Sequence, residues 1–385
     1  MDDNTLNRRR LLGGMAAAGA AGIAAGLTSR EAGAAQAQAP VQQPANAGAS
    51  QAPTITSVKD KVIYITGGSS GIGLGIARVM HEAGAKVAIG NLDDKQWADA
   101  LKNFPANDPR LMTVVHDVMD KDGWSRAADE IEKKFGPVHI LVNNAGVGLQ
   151  QSASGGTVND WEWGMGVNFW GPVYGVTTFV PRMRAHGQGA HIVTTTSTSG
   201  IVPNPGTGIY SVSKMAAVAL MEQLRNELRA TNIGTTCFVP GNTTSNIGQS
   251  ESHRPEELRN EEAAAAAARA GGPGARGAGG PAGGAFNAQA RTPAAAPSPY
   301  WSRPQDPVVV GRVLLDGILH NDLFVVLQPE WRPGVEARAN ALLESMVPVQ
   351  PMPESLNGRD YTRTPIYVQE IAHRRATRQR NIAGI

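Results

Sequence analysis

Short runs of continuously apolar residues alternate along this chain with longer stretches whose apolar positions recur every three or four residues. The first run, KVIYIT at 61–66, precedes GIGLGIARVMHEAG, where Ile72, Ile76, Val79 and Met80 fall at helical spacing and Gly84 supplies a stop. The pairing repeats. Strands are predicted at 86–90, 111–118, 138–146, 190–197, 233–241 and in LFVVLQ. Helices are predicted in DDKQWADALKNF, in KDGWSRAADEIEKKFG, over 159–187 with an interruption at Gly171 and Pro172, from Tyr210 to about Thr231, in PVVVGRVLLDGILH and near 334–346. Strands without polar alternation suit a sheet covered on both faces. The rhythm therefore predicts an α/β fold: a doubly wound parallel sheet of the Rossmann type, three α/β/α layers in a single domain.

Three stretches break the rhythm. At the N-terminus, Arg8, Arg9 and Arg10 precede a weakly apolar Ala/Gly run, and AAQAQAP offers small-x-small cleavage sites ending at Ala37 or Ala39. That order describes an export signal over residues 1–39. The apolar run from Leu11 to Leu27 is too short and glycine-rich for a good membrane span, so no stable span is expected in the mature protein. Arg8-Arg9-x-Leu11-Leu12 resembles the bacterial twin-arginine signal. It implies an exported, periplasmic protein, or a cytoplasmic one if the signal is inefficient. Residues 40–57 read as a linker to a folded domain at 58–347. Inside that domain, 260–299 is low in complexity and too poor in large apolar groups to build a core, with room for a short Ala-rich helix from Pro255 to Ala270. Residues 348–385 form a polar, Arg-rich extension suited to packing on the domain or on a partner subunit.

Composition narrows the chemistry. A net charge of +2 offers no basic surplus for nucleic acid. The single cysteine, Cys237, excludes an internal disulfide, and its apolar setting in TTCFV suits a buried, inert thiol. The histidines lack ligand spacing such as H-x-x-x-H, so no metal is expected.

Two motifs carry chemistry. ITGGSSGIG sits between the first strand and first helix, and Gly67, Gly71 and Gly73 permit a tight turn against a pyrophosphate at a helix N-terminus. The turn also holds the neutral Ser69 and Ser70, and Ile72 opens the helix. At the end of the second strand an acid would favour NAD and an arginine NADP; here Asn91 takes the position, which leans to NAD and leaves NADP open. Tyr210 and Lys214 stand four apart at the head of a helix and so share a face. A neighbouring ammonium favours the ionised phenol, which is expected to lower the tyrosine pKa and make it a proton donor and acceptor.

Together these features resemble the short-chain dehydrogenase/reductase family over about 58–347, apart from the insert. T-G-x-x-x-G-x-G appears as Thr66 to Gly73, N-N-A-G as Asn143 to Gly146, and P-G as Pro240-Gly241. The family's helix asparagine matches Asn168 in VNFWG, its serine Ser197, and its Y-x-x-x-K Tyr210 and Lys214. TTTS replaces the usual NISS, and Ser245 stands for a common threonine. The insert falls where the family builds its substrate lid. The resemblance implies an oxidoreductase passing hydride between a nicotinamide (NAD or NADP) and a small alcohol or carbonyl substrate. Tyr210 would exchange the proton, Lys214 would tune it and hold the nicotinamide ribose, Ser197 would position the substrate oxygen, and Asn168 would hold a relay water. Asp117 and Val118 would border the adenine, Asn144, Ala145 and Gly146 the adenosine, and Pro240, Gly241 and Thr243 the nicotinamide. It also implies a homodimer or homotetramer through the fifth and sixth helices. A dinucleotide sensor or scaffold, or an isomerase or dehydratase, are the alternatives on this fold. Of the aromatic group Trp161, Trp163, Phe169 and Trp170, packing explains most, and one could line a substrate pocket.

Overall fold

The computed structural model describes residues 48–93, 96–260, 304–346 and 365–377. In them, strands β1 (Val62–Thr66), β2 (Lys86–Asn91), β3 (Leu111–Val115), β4 (Val138–Asn143), β5 (Ala190–Thr195), β6 (Ile233–Val239) and β7 (Phe324–Val326) form one sheet in the order β3-β2-β1-β4-β5-β6-β7. Every neighbouring pair is parallel. The helices are α1 (Gly71–Glu82), α2 (Trp97–Leu101), α3 (Gly123–Phe135), α4 (Val158–Met165), α5 (Gly171–His186), α6 (Gly208–Leu228), α7 (Pro307–His320), α8 (Arg332–Glu344) and α9 (Ile366–Ala376).

Strand side chains alternate between two separate cores, as the pleat requires. Tyr64, Leu141 and Ile192 meet Trp124 of α3, Phe179 and Met183 of α5 and Met221 of α6. On the opposite face Ile63, Ile65, Val142 and Val193 meet Ile76 and Met80 of α1 and Leu314 and Ile318 of α7. Cys237 lies in the first core, and burial pushes its thiol up to about 12. Strand order reverses at β1, with β2 on one side and β4 on the other, which opens a crevice at the carboxyl ends of these strands.

Several boundaries differ from the sequence pattern. The second helix is confined to Trp97–Leu101 among the described residues. The expected interruption at Gly171 and Pro172 is absent. Instead α4 and α5 join through a π-helical turn, Gly166–Trp170, in which the Gly171 N–H reaches back to the Gly166 carbonyl. Pro172 has no N–H to give the carbonyl four residues earlier, and the chain widens one turn rather than breaking. Residues 48–57, within the expected linker, lie docked at the amino ends of β5 and β6. Gln51 Nε2 donates to the carbonyls of Leu228, Thr231 and Ile233, and Thr54 Oγ1 to Ala190. In the C-terminal extension, α9 packs nearby. Glu370 accepts from the Leu323 N–H at 3.1 Å, and Asp322 pairs with His373 at 2.9 Å and with Arg374. The insert beyond Asn260 and the stretch expected to be an export signal lie outside the described residues.

Helices α1 and α7 cross where only glycine fits. A Cβ on Gly75 would lie 2.1 Å from the Pro307 carbonyl oxygen, and one on Gly311 would lie 2.8 Å from the Gly75 oxygen. Gly75→Ala must push the helices apart and is expected to destabilise the fold by about 1–3 kcal/mol. A lowered thermal midpoint would show this; an unchanged midpoint would refute the packing account.

Candidate active site

The crevice is a cleft of about 310 Å³. One end is built by the turn after β1 and the ends of β2 and β3. The other lies among the segments after β4, β5 and β6. At the first end Gly67, Ser69, Ser70, Gly71 and Ile72 form the floor, with Asn91, Asp117 and Val118 at the side. Asn91 Nδ2 donates to Ser69 Oγ at 2.7 Å and to Gln96 Oε1 at 3.0 Å, so the residue at the end of β2 is tied to the glycine turn. Asp117 Oδ1 accepts from the Met119 N–H at 2.8 Å and holds its own turn. His116 also lines the cleft, but it shares a 2.6 Å hydrogen bond with the Tyr64 hydroxyl inside the core, and burial brings its imidazole down to about 4. It is therefore neutral at physiological pH.

Asn144 braces the turn instead of simply bordering the cleft. Its Nδ2 donates to the Thr66 and Gly67 carbonyls, while the Thr66 hydroxyl accepts from the N–H groups of Asn144 and Ala145, each at 3.0 Å. This brings β4 and the glycine turn into close contact. A Cβ on Gly67, which has φ +63°, would lie 3.0 Å from the Ala145 Cα, and a Cβ on Gly73 would lie 2.2 Å from the Gly67 oxygen. Gly73 does not line the cleft; it sits beneath it and lets the turn close. A bare backbone cradle at a helix N-terminus, beside neutral hydrogen-bonding side chains, fits a dinucleotide.

At the second end Ser197, Tyr210 and Lys214 converge. Ser197 follows β5 in an extended conformation and caps a short turn, accepting from the Ser199 N–H at 3.2 Å. Tyr210 lies in the first turn of α6, and its hydroxyl is hydrogen-bonded to Ser197. Lys214 is one turn further on. Its Nζ donates to the Thr195 carbonyl at 3.0 Å and lies 5.8 Å from the Tyr210 ring centroid. Ala145, Gly146, Pro240, Gly241 and Thr243 complete this region.

One expectation is corrected here. Burial raises the Tyr210 pKa, opposed by the Ser197 hydrogen bond, so the phenol sits above its ordinary value and not below it. Desolvation of the phenolate dominates, and desolvation likewise depresses the neighbouring Lys214 ammonium to about 8. Asn168 lies outside the cleft lining, behind Gly146. Its Oδ1 accepts from the Val147 N–H at 2.9 Å, and its Nδ2 donates to the Val147 carbonyl at 3.0 Å and to Ser213 Oγ at 3.1 Å. Only one lone pair of Oδ1 remains for a water. A Cβ on Gly146 would stand 3.2 Å from that oxygen and 3.4 Å from Lys214 Nζ, so the glycine keeps open the gap between them.

Sequence patterns pointed to most of the floor and the Ser-Tyr-Lys group. They missed Gln96, His116 and the cover formed after β6, where Asn246, Ile247, Ser250, His253 and Pro255 line the cleft. Among the aromatic group, Trp163 lines the cleft, Trp161 packs on the core and Trp170 is 47% exposed. Nothing in the local pattern of a loop reports which helix it will cover, so these contacts had no signal.

Burying Lys214 as a cation costs on the order of 3 kcal/mol near neutral pH. Its folded pKa lies below its unfolded one, so the folded state binds fewer protons between about pH 8 and 10.5, and the penalty fades as pH rises through that window. Lys214→Met is expected to raise the thermal midpoint at about pH 7 and to gain less toward about pH 10. A variant no more stable than wild type at pH 7 would contradict this.

Comparison with known proteins agrees with this geometry. The family model described as short chain dehydrogenase matches residues 61–256. A C alpha-dehydrogenase of Sphingobium sp. is 31% identical over 321 residues, covering 79% of this chain and 95% of its own. An NADP-dependent (R)-specific alcohol dehydrogenase of Lentilactobacillus kefiri is 37% identical over 166 residues, 43% of this chain and 65% of that one. The crystal structure of a short chain dehydrogenase/reductase from Burkholderia phymatum in complex with NAD superposes with a TM-score of 0.63 at 28% identity, covering 78% of this chain and all of that one. With its seven-stranded parallel sheet, the glycine turn after β1 and this breadth of match, the chain belongs to the short-chain dehydrogenase/reductase family of NAD(P)-dependent oxidoreductases.

Proposed function

We propose that the protein transfers hydride between a nicotinamide cofactor and an alcohol or carbonyl carbon, with Tyr210 as the general acid and base. The observation that carries this reading is the Ser197–Tyr210 hydroxyl pair at one end of the cleft, one helical turn from a buried ammonium. The cofactor would supply the hydride acceptor or donor at its nicotinamide ring. Ser197 would hold the substrate oxygen within reach of the Tyr210 hydroxyl. A phenol whose pKa is raised by burial stays protonated at neutral pH, which suits proton donation to an alkoxide. In the reverse direction the Lys214 ammonium would stabilise the phenolate as it forms. Lys214, Asn168 Oδ1 and a water in the gap beside Gly146 could then return the proton toward solvent. The groove from Ser69 to Lys214 would hold the dinucleotide, its pyrophosphate on the backbone of Gly67, Gly71 and Ile72. Among the described residues at the ribose end, Ser69, Asn91, Leu92 and Gln96 are neutral, with no cation for a 2′-phosphate. NAD is the proposed partner on the strength of Asn91 at the end of β2, and NADP is the alternative.

Tyr210→Phe removes the proton donor but keeps the ring. It is expected to lower turnover by roughly 10²–10⁴-fold with NAD affinity nearly unchanged. Steady-state assays on a panel of secondary alcohols, hydroxysteroids and sugars, run separately with NAD and NADP, test both assignments. Full turnover in the variant would remove Tyr210 from the chemistry and favour a sensor. Turnover without change at the reduced-nicotinamide absorbance band would favour isomerisation or dehydration. A higher kcat/KM with NADP would overturn the cofactor choice.

We further propose that the chain is exported in its folded state. The support is the Arg8-Arg9-x-Leu11-Leu12 run, and cleavage after Ala37 or Ala39 would leave the docked residues 48–57 intact. Among the described residues no helix is long and apolar enough to cross a membrane. A homodimer or homotetramer through α5 and α6 is supported by Trp170, exposed and stacked on Tyr174, and by the exposed Val212. Replacing Arg8 and Arg9 together by Lys is expected to shift the protein from the periplasmic to the cytoplasmic fraction. Equal distribution of the two forms would refute the export reading.

A further inference from the structure

We infer that Arg254 is a positioning residue for substrate: it latches the segment 247–260 onto α4 and so fixes the apolar end of the cleft. This rests on the alcohol/carbonyl reading and adds a part to it. The segment follows β6 in short 3₁₀ turns. It contributes Ile247, Ser250, His253 and Pro255 to the cleft, opposite Trp163 and Val167 of the α4–α5 helix.

The buried ion pair of this fastening belongs to one side chain. Arg254 Nη2 donates to Asp160 Oδ1 at 2.8 Å, with side-chain exposures of 3% and 2%. Its Nε and Nη2 also fork onto the Glu251 carboxylate, both at 2.8 Å, and Nη1 donates to the Leu258 carbonyl at 3.1 Å. The guanidinium lies over the Trp163 ring, 4.3 Å from its centroid. A planar cation that bridges two carboxylates and stacks on an indole cannot be reproduced by lysine.

Asp160 divides its two oxygens. Oδ2 accepts from the N–H and hydroxyl of Thr157 and closes the capping box at the start of α4. Oδ1 takes Arg254 and Asn260 Nδ2, the latter at 2.9 Å. Burial alone would raise this carboxyl, but the hydrogen bonds from Thr157, Arg254 and Asn260 together hold it below the usual range. The same acid therefore starts the helix that carries Trp163 and leads to Asn168, and receives the cover over the substrate. The segment is attached further through Ser250, which accepts from the Gly148 N–H at 2.9 Å, through the Arg259 carbonyl, which accepts from Asn159 Nδ2 at 3.2 Å, and through Asn260 Oδ1, 2.8 Å from the Thr157 hydroxyl. None of these contacts is with the glycine turn or the Ser197–Tyr210 pair. The latch thus acts on the alcohol and leaves the dinucleotide and the proton step alone.

The test uses the full chain with Arg254→Ala, Arg254→Lys and Asp160→Asn. Amide hydrogen exchange is followed across all peptides. Turnover is measured with NAD and cyclohexanol, 2-octanol and 1-phenylethanol in turn, neutral probes chosen because Trp163, Val167, Ile247 and Pro255 give the wall an apolar part. In Arg254→Ala, exchange within 247–260 is expected to rise at least about tenfold while the strands stay protected. KM for the alcohol should rise about tenfold, with kcat and the NAD dissociation constant within about threefold. Arg254→Lys should fall between, and Asp160→Asn should resemble the alanine variant in 247–260. Unchanged exchange in that segment, or a rise spread equally over the strands, would overturn the latch. So would a KM that moves together with the NAD dissociation constant. If wild type turns over none of the three alcohols, the exchange measurements alone decide the latch, and the failure belongs to the substrate reading.

Discussion

An ammonium held away from water is the constraint around which the site is arranged. Lys214 is buried on α6 with a single backbone carbonyl, that of Thr195, as its hydrogen-bond acceptor. Such a charge is tolerated only where the fold is stable enough to carry it, and the two cores flanking the sheet provide that surplus. The same exclusion of water sets the behaviour of its neighbours. It holds the Tyr210 phenol protonated and keeps His116 neutral, so the titratable groups around the cleft are sorted by desolvation more than by charge pairing.

This explains what was legible in the sequence and what was not. The seven apolar runs and the helices between them were readable because a sheet buried on both faces leaves no polar alternation. The glycine turn was readable because Gly67 and Gly73 have no tolerated substitute at their contacts. The Ser-Tyr-Lys group was readable because a helix fixes the phase of Tyr210 and Lys214, and the family pattern supplied Ser197. The sign of the tyrosine shift was not, since proximity of a charge is visible at i,i+4 spacing but depth is not. Nor was the role of Asn144, whose contacts reach 78 residues back to Thr66.

The cover after β6 shows the same limit more sharply. Arg254 and Asp160 are 94 residues apart, and neither stands in a motif that announces the other. The Thr157-x-x-Asp160 capping box is a local signal for where α4 begins, yet only the folded chain shows that one carboxylate oxygen is left for a partner. Long-range pairs of this kind arise from topology: the loops after β4 and β6 meet above β5 because the strands that feed them flank it.

The π-helical turn at Gly166–Trp170 has a consequence for the chain's tolerance of length changes. The turn holds one residue more than an α-helical turn would and takes it up by widening, so α4 and α5 run on through it as one helix. Removing a single residue there would return the turn to α-helical width, leaving Phe179 and Met183 among their hydrophobic neighbours and moving the residues of the turn itself. The length of this short stretch thus governs where the asparagine it contains points, more than how the flanking helices pack.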